Sequence, residues 1–128
     1  MNKILIVDDD ERLLTLYSAI LRKEGYEVLT TTDAKTALEL AVSAQPNLIL
    51  LDVMMPSLDG GDAFRYLSGN SSTKKIPVIF LTSLVSEDEV EAGKGEIGGR
   101  EYISKSTPMP KFVATVKEAL SRTPRKQS

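Results

Sequence analysis

Cysteine and histidine are both absent from this chain of 128 residues. Without cysteine there can be no disulfide, no thiolate metal site and no cysteine nucleophile, and the composition fits a reducing compartment. Without histidine the chain cannot carry a phosphohistidine, a Ser-His-Asp triad or an imidazole-ligated metal. These absences exclude several common classes of enzyme and metal site.

Long apolar segments and a basic excess are also missing. No stretch approaches the roughly 20 apolar residues of a membrane span, and the start of the chain is too short for a signal peptide. A net charge of −2 argues against direct nucleic-acid binding. We therefore expect a cytoplasmic protein with no membrane contact. Its length favours one domain over residues 1–122, with a basic polar tail or the start of a linker at 123–128.

Strand and helix patterns alternate five times along the chain. Short apolar runs predict strands at residues 3–7, 27–31, 47–52, 77–82 and 101–104. Helical spacing follows each of them, with a first helix over 11–24 whose apolar positions at helical spacing include Leu16, and a fourth that begins at Ser86. Pro110 suits the first turn of the last helix. This order predicts an α/β fold, a parallel sheet covered on both faces by helices.

Acidic residues follow two of the apolar strands directly. Asp8 and Asp9 come after the first strand, and Asp52 closes the third. Because ligands of such folds bind beyond the carboxyl ends of the strands, we expect these carboxylates to share one edge of the sheet. Three carboxylates in a small space repel one another unless a cation lies among them. An all-oxygen site of this kind suits Mg²⁺.

The same edge should also receive Thr82, at the end of the fourth strand, and Lys105, after the fifth. The set could support phosphoryl transfer, with Asp52 as a nucleophile that forms an acyl phosphate. The metal and the Lys105 ammonium would neutralise the transferred group. Taken singly, each residue has an ordinary interpretation as a helix cap, a solvated loop residue or a surface lysine. Their joint placement at four strand ends favours the functional interpretation.

Over residues 3–120 the chain resembles the receiver domain of response regulators in two-component signalling. The stretches that carry the resemblance are ILIVDDD at 4–10, LLDVMMP at 50–56 with Asp59-Gly60, IFLTS at 79–83 and GGREYISK at 98–105. It implies a flavodoxin-like (βα)5 fold, with one five-stranded parallel sheet in the order 2-1-3-4-5 and five helices on its two faces.

The resemblance also implies a role for each matching residue. Asp52 would be the phosphoacceptor, and Asp8, Asp9, Asp52 and the Met54 backbone carbonyl would hold Mg²⁺. Thr82 and Lys105 would act on the phosphoryl group, while Thr82 and Tyr102 would form the switch. The donor would be a sensor histidine kinase or a phosphotransfer protein. The output would be a protein target bound at the face of the fourth helix, fifth strand and fifth helix. Such a domain is a regulator that assists its own phosphorylation and dephosphorylation, not an enzyme.

Two features depart from the family pattern. Ser106 follows Lys105 where receivers usually have a proline joined through a cis peptide, so the Lys105–Ser106 peptide should be either trans or under strain. The glycine-rich segment before Tyr102 also looks about one residue longer than usual. Because of both departures, a second interpretation stays open, in which the chain is a receiver-like protein-docking module that no longer switches.

Two other classes of protein fit the sequence less well. An aspartyl phosphatase of the haloacid dehalogenase kind would need an acid two residues after the nucleophile, where this chain has Met54. A nucleotide-binding module would need a glycine-rich loop after the first strand, where the chain has three aspartates.

Overall fold

The computed structural model describes residues 2–55, 58–83, 96–97 and 100–122. Strands and helices alternate along most of this length. In chain order the elements are β1 (Lys3–Val7), α1 (Glu11–Lys23), β2 (Glu27–Thr31), α2 (Ala34–Ala44), β3 (Leu48–Asp52), β4 (Met54–Met55), β5 (Leu58–Asp59), α3 (Gly60–Gly69), β6 (Val78–Thr82), β7 (Glu96–Ile97), β8 (Arg100–Ser104) and α4 (Met109–Arg122). The helix predicted from Ser86 and the tail at 123–128 lie outside the described residues.

The main sheet confirms the predicted order. Its strands run β2-β1-β3-β6-β8, and every neighbouring pair among these five is parallel. Two short ladders were not predicted. β7 extends the sheet by pairing antiparallel with β8, and β4 pairs antiparallel with β5. β4, β5 and β7 have two residues each, which is too short for an alternating apolar pattern to indicate a strand.

Alternate residues of the central strands face opposite sides of the sheet, so two core layers form. α1 and α4 cover one face, where Tyr17 stacks on Phe112 with 4.5 Å between ring centroids. α2 and α3 cover the other face with small side chains such as Ala37 and Ala63. Because both faces of the sheet are covered, the free edge at the carboxyl ends of the strands is where a polar site can form.

Local capping interactions begin the first two helices. Asp10 accepts hydrogen bonds from the backbone nitrogens of Arg12 and Leu13, and Asp33 accepts one from the backbone nitrogen of Thr36. One of the apolar positions at helical spacing in α1 does not face the core. Leu16 is 45% exposed, whereas Leu14 is buried with Tyr17, Ser18 and Leu21. Among the described residues no helix is long and apolar enough to cross a bilayer.

Candidate functional site

The carboxyl ends of four neighbouring strands carry the predicted polar side chains. Asp8 directly follows β1, Asp52 ends β3, Thr82 ends β6 and Lys105 directly follows β8. The parallel register aligns these ends, because Asp52 pairs with Leu81 and Thr82 pairs with Ser104. The sequence prediction that these residues meet at one edge therefore agrees with the strand order and register.

Three carboxylates form a cluster at this edge. One oxygen atom from each of Asp8, Asp9 and Asp52 lies within 4.8 Å of the others. Asp8 is fully buried and Asp52 nearly so, while Asp9 is exposed and borders solvent. Asp8 Oδ1 accepts a hydrogen bond from the Asp10 backbone nitrogen at 2.9 Å. The other Asp8 oxygen, Oδ2, is buried against the Lys105 ammonium.

The Lys105 ammonium lies between two of these carboxylates. Its Nζ is 2.8 Å from Asp8 Oδ2 and 3.4 Å from Asp52 Oδ1, and 17% of the side chain is exposed. Burial alone would lower the pKa of Lys105, but the hydrogen bond and charge of Asp8, together with Asp52, outweigh it and hold that pKa above its ordinary value. Lys105 is therefore a fixed positive charge at neutral pH.

The chain turns sharply after β8. Among the described residues no peptide bond is cis, so the Lys105–Ser106 peptide is trans, which was one of the two predicted outcomes. The Ser104 hydroxyl lies 2.8 Å from the Ser106 hydroxyl. Sequence reasoning treated Ser106 only as a missing proline. A serine two residues before it was the available signal, since serine hydroxyls often bond the backbone two residues on.

The two predicted switch residues lie on one face of the sheet. Thr82 is 3% exposed, and Tyr102 is half-buried with its ring 5.3 Å from that of Phe80. Phe80 also contacts Phe64 of α3, with 5.6 Å between centroids. Met54 opens β4 two residues after Asp52, and the metal-binding role of its carbonyl stays a prediction. Asp10, in contrast, caps α1.

Comparison with known proteins gives consistent similarities. The family model for the response regulator receiver domain matches residues 4–117. The polar-differentiation response regulator DivK of Brucella anthropi is 33% identical over 91% of this chain and 94% of its own length. The alkaline phosphatase synthesis transcriptional regulatory protein PhoP of Bacillus subtilis is 37% identical over 94% of this chain, which spans 49% of PhoP.

A solved structure shows the same similarity in three dimensions. It is the signal receiver domain of a signal transduction histidine kinase from Syntrophus aciditrophicus. Its TM-score is 0.81 at 31% identity, covering 100% of this chain and 96% of that one. Sequence and fold similarity thus extend over nearly the whole chain, including all four strand ends that carry the polar residues.

Proposed function

Because this chain belongs to the response regulator receiver domains of two-component systems, we propose that it is a phosphorylation-controlled regulator with Asp52 as its phosphoacceptor. The donor is a sensor histidine kinase or a phosphotransfer protein in the cytoplasm. The observation that carries the proposal is the position of the Asp52 carboxylate, within 4.8 Å of Asp8 and Asp9 oxygens and 3.4 Å from the Lys105 ammonium. Acidic groups and a cation surround the atom that would react.

The proposed step is an in-line transfer. A carboxylate oxygen of Asp52 attacks the donor phosphorus, forming a phosphorus–oxygen bond, while the bond between phosphorus and the donor imidazole nitrogen breaks. The donor nitrogen keeps the electron pair, and Asp52 becomes an acyl phosphate. The Lys105 ammonium, already in place, stabilises charge on the phosphoryl oxygens, and the Thr82 hydroxyl donates to one of them.

The charges of the site fit a divalent cation. When ionised, the three clustered carboxylates and the one ammonium beside them leave two negative charges uncompensated. Asp8, Asp9, Asp52 and the Met54 carbonyl would hold Mg²⁺, since this ion prefers oxygen ligands and keeps several waters. When bound, it neutralises the carboxylates and the phosphoryl oxygens, which lowers the repulsion between donor and acceptor.

The response to phosphorylation would pass through Thr82 and Tyr102. A phosphoryl group on Asp52 adds acceptor oxygens that draw the Thr82 hydroxyl toward them. Tyr102, which is half-buried against Phe80 on the neighbouring strand, would then move into the space behind the Thr82 side chain. The output surface would comprise β8, α4 and the helix predicted from Ser86, and its target would be a downstream protein.

Intact-protein mass after incubation with acetyl phosphate and Mg²⁺ tests the proposal. We expect one phosphate-sized mass gain on the wild type, lost in Asp52→Asn and in the presence of a chelator. Asp62→Asn is the matched control, because Asp62 is an exposed acid on α3 that is ion-paired with Arg65 and is not one of the three clustered carboxylates. No mass gain with either acetyl phosphate or a cognate kinase would favour the non-switching docking module instead.

A further inference from the structure

The turn that carries Lys105 is held at both ends by backbone hydrogen bonds. The Lys105 nitrogen donates to the Thr82 carbonyl at 2.7 Å, which continues the β6–β8 ladder. The Thr107 nitrogen then donates to the Ser104 carbonyl at 3.0 Å, closing a four-residue turn. Lys105 and Ser106 are the two central residues of this turn. The conformation of Ser106 therefore affects the direction in which the Lys105 side chain leaves the backbone.

Two contacts from one hydroxyl fix Ser106. Ser104 Oγ accepts from the Ser106 backbone nitrogen at 3.2 Å and lies 2.8 Å from Ser106 Oγ. Ser104 is 1% exposed, so these contacts form beside the core, while Ser106 itself is exposed. A proline at position 106 could form neither contact, since it has no N–H and no hydroxyl. The pair of serines, which we call the serine clamp, thus fixes this trans turn.

The serine clamp lies next to Lys105, whose ammonium contacts two carboxylates of the site. Lysine has a flexible four-carbon stem, so its ammonium is placed only as well as its backbone and surroundings hold it. Here that ammonium lies 2.8 Å from Asp8 and 3.4 Å from Asp52. We propose that Ser106, held by Ser104, is a positioning residue that sets where the Lys105 ammonium lies between these two carboxylates.

A double-mutant cycle in the unfolding equilibrium tests the positioning directly. Ser106→Ala, Lys105→Met and the double variant are unfolded in urea with no phosphodonor present. If the clamp acts through Lys105, the midpoint shift caused by Ser106→Ala should shrink to about half or less in the Lys105→Met background. Equal shifts in both backgrounds would overturn the proposal. If Lys105→Met loses its cooperative transition, Lys105→Gln provides the second background.

Phosphorylation kinetics test the consequence for chemistry, which rests on the proposed function. With acetyl phosphate and Mg²⁺, Ser106→Ala should be phosphorylated about three- to tenfold more slowly than the wild type, the scale of one lost hydrogen bond. Ser106→Thr keeps both contacting groups and should restore the rate. In the Lys105→Met background, Ser106→Ala should have no further effect. A rate loss that persists there would mean that the clamp acts independently of Lys105.

Ser121→Ala is the matched control for both assays. Ser121 is an exposed serine whose hydroxyl donates to the Glu118 carbonyl at 2.8 Å, far along α4 from the turn. The two proposals fail in different ways. If the wild type gains no phosphate, the proposed function fails, and the urea cycle still decides the role of the clamp. If the wild type is phosphorylated and Ser106→Ala matches it in rate, the clamp proposal alone fails.

Discussion

Replacing Lys105 with methionine removes the cation that faces two buried carboxylates while keeping the length of the side chain. At the observed 2.8 Å from Asp8, two unit charges attract by about 6 kcal/mol in a medium of effective dielectric constant about 20. Relief of the desolvation cost of the lysine offsets part of this attraction. Loss of one partner from a buried pair typically costs about 3–5 kcal/mol. Because 17% of the Lys105 side chain is exposed, we expect the low end, about 3 kcal/mol.

Urea unfolding at neutral pH in the presence of a chelator measures this loss. Lys117→Met is the matched control, because Lys117 Nζ lies 2.7 Å from Glu24 Oε1 and so forms an ion pair of nearly the same length. Its side chain is 52% exposed, and solvent screens such a pair. We therefore expect the control to lose only a small fraction of what Lys105→Met loses. The same substitution at the same separation isolates the effect of burial.

Adding Mg²⁺ should raise the stability of Lys105→Met more than that of the wild type. The variant removes the ammonium that contacts Asp8 and Asp52, so a dication binds a more negative site and stabilises the folded state by linkage. The reasoning would be refuted if Lys105→Met were as stable as Lys117→Met in the chelator. It would also be refuted if added Mg²⁺ stabilised Lys105→Met and the wild type equally.

Three further predictions follow from other contacts. Leu14→Ala should lower the free energy of unfolding by about 2–4 kcal/mol, and Leu16→Ala should change it by no more than about 0.5 kcal/mol, because only Leu14 is buried. Comparable losses of the two variants in urea unfolding would contradict the observed orientation of α1 against the sheet. Hydrogen bonds from the Thr36 backbone and hydroxyl lower the pKa of Asp33 below its ordinary value of 3.8. The stability advantage of wild type over Asp33→Ala should therefore be constant above about pH 5 and decrease as the pH falls through and below 3.8, and an advantage that grew in acid would refute this reasoning. Calorimetric titration should show Mg²⁺ affinity at least about tenfold weaker in Asp9→Asn, a loss that second-shell changes alone often cause. Asp10→Asn, which keeps a good helix cap, should bind as the wild type does.

The placement of the charged site was predictable because few physical rules determine it. Apolar runs that stop at acid mark the ends of buried strands, as at Asp8 and Asp52. Parallel pairing then brings those ends to one edge, and the register between β3 and β6 confirms the alignment. Neither step depends on the details of side-chain packing. The residues predicted to meet there were therefore identified without any knowledge of distances.

Details that depend on a small rotation or a short contact were not predictable. Leu14 and Leu16 are both leucines in one helix, and only the docking angle of α1 decides which of them is buried. The two-residue strand β7 has no apolar alternation to mark it. The contact between Ser104 and Ser106 depends on a turn conformation, and a local sequence of polar residues is compatible with several turns.

The charge set and the turn that presents Lys105 are separable parts of the site. The carboxylates of Asp8, Asp9 and Asp52 lie at or just after the ends of β1 and β3, so their positions are set by these strands and not by the residue at position 106. Lys105, in contrast, reaches them from a turn whose trans peptide is held by a serine hydroxyl. Changing the turn should therefore alter how quickly Asp52 is phosphorylated without removing its ability to accept a phosphoryl group. Changing Asp52 itself should abolish phosphorylation whatever the turn does, which is why Ser106 and Asp52 variants distinguish the two contributions.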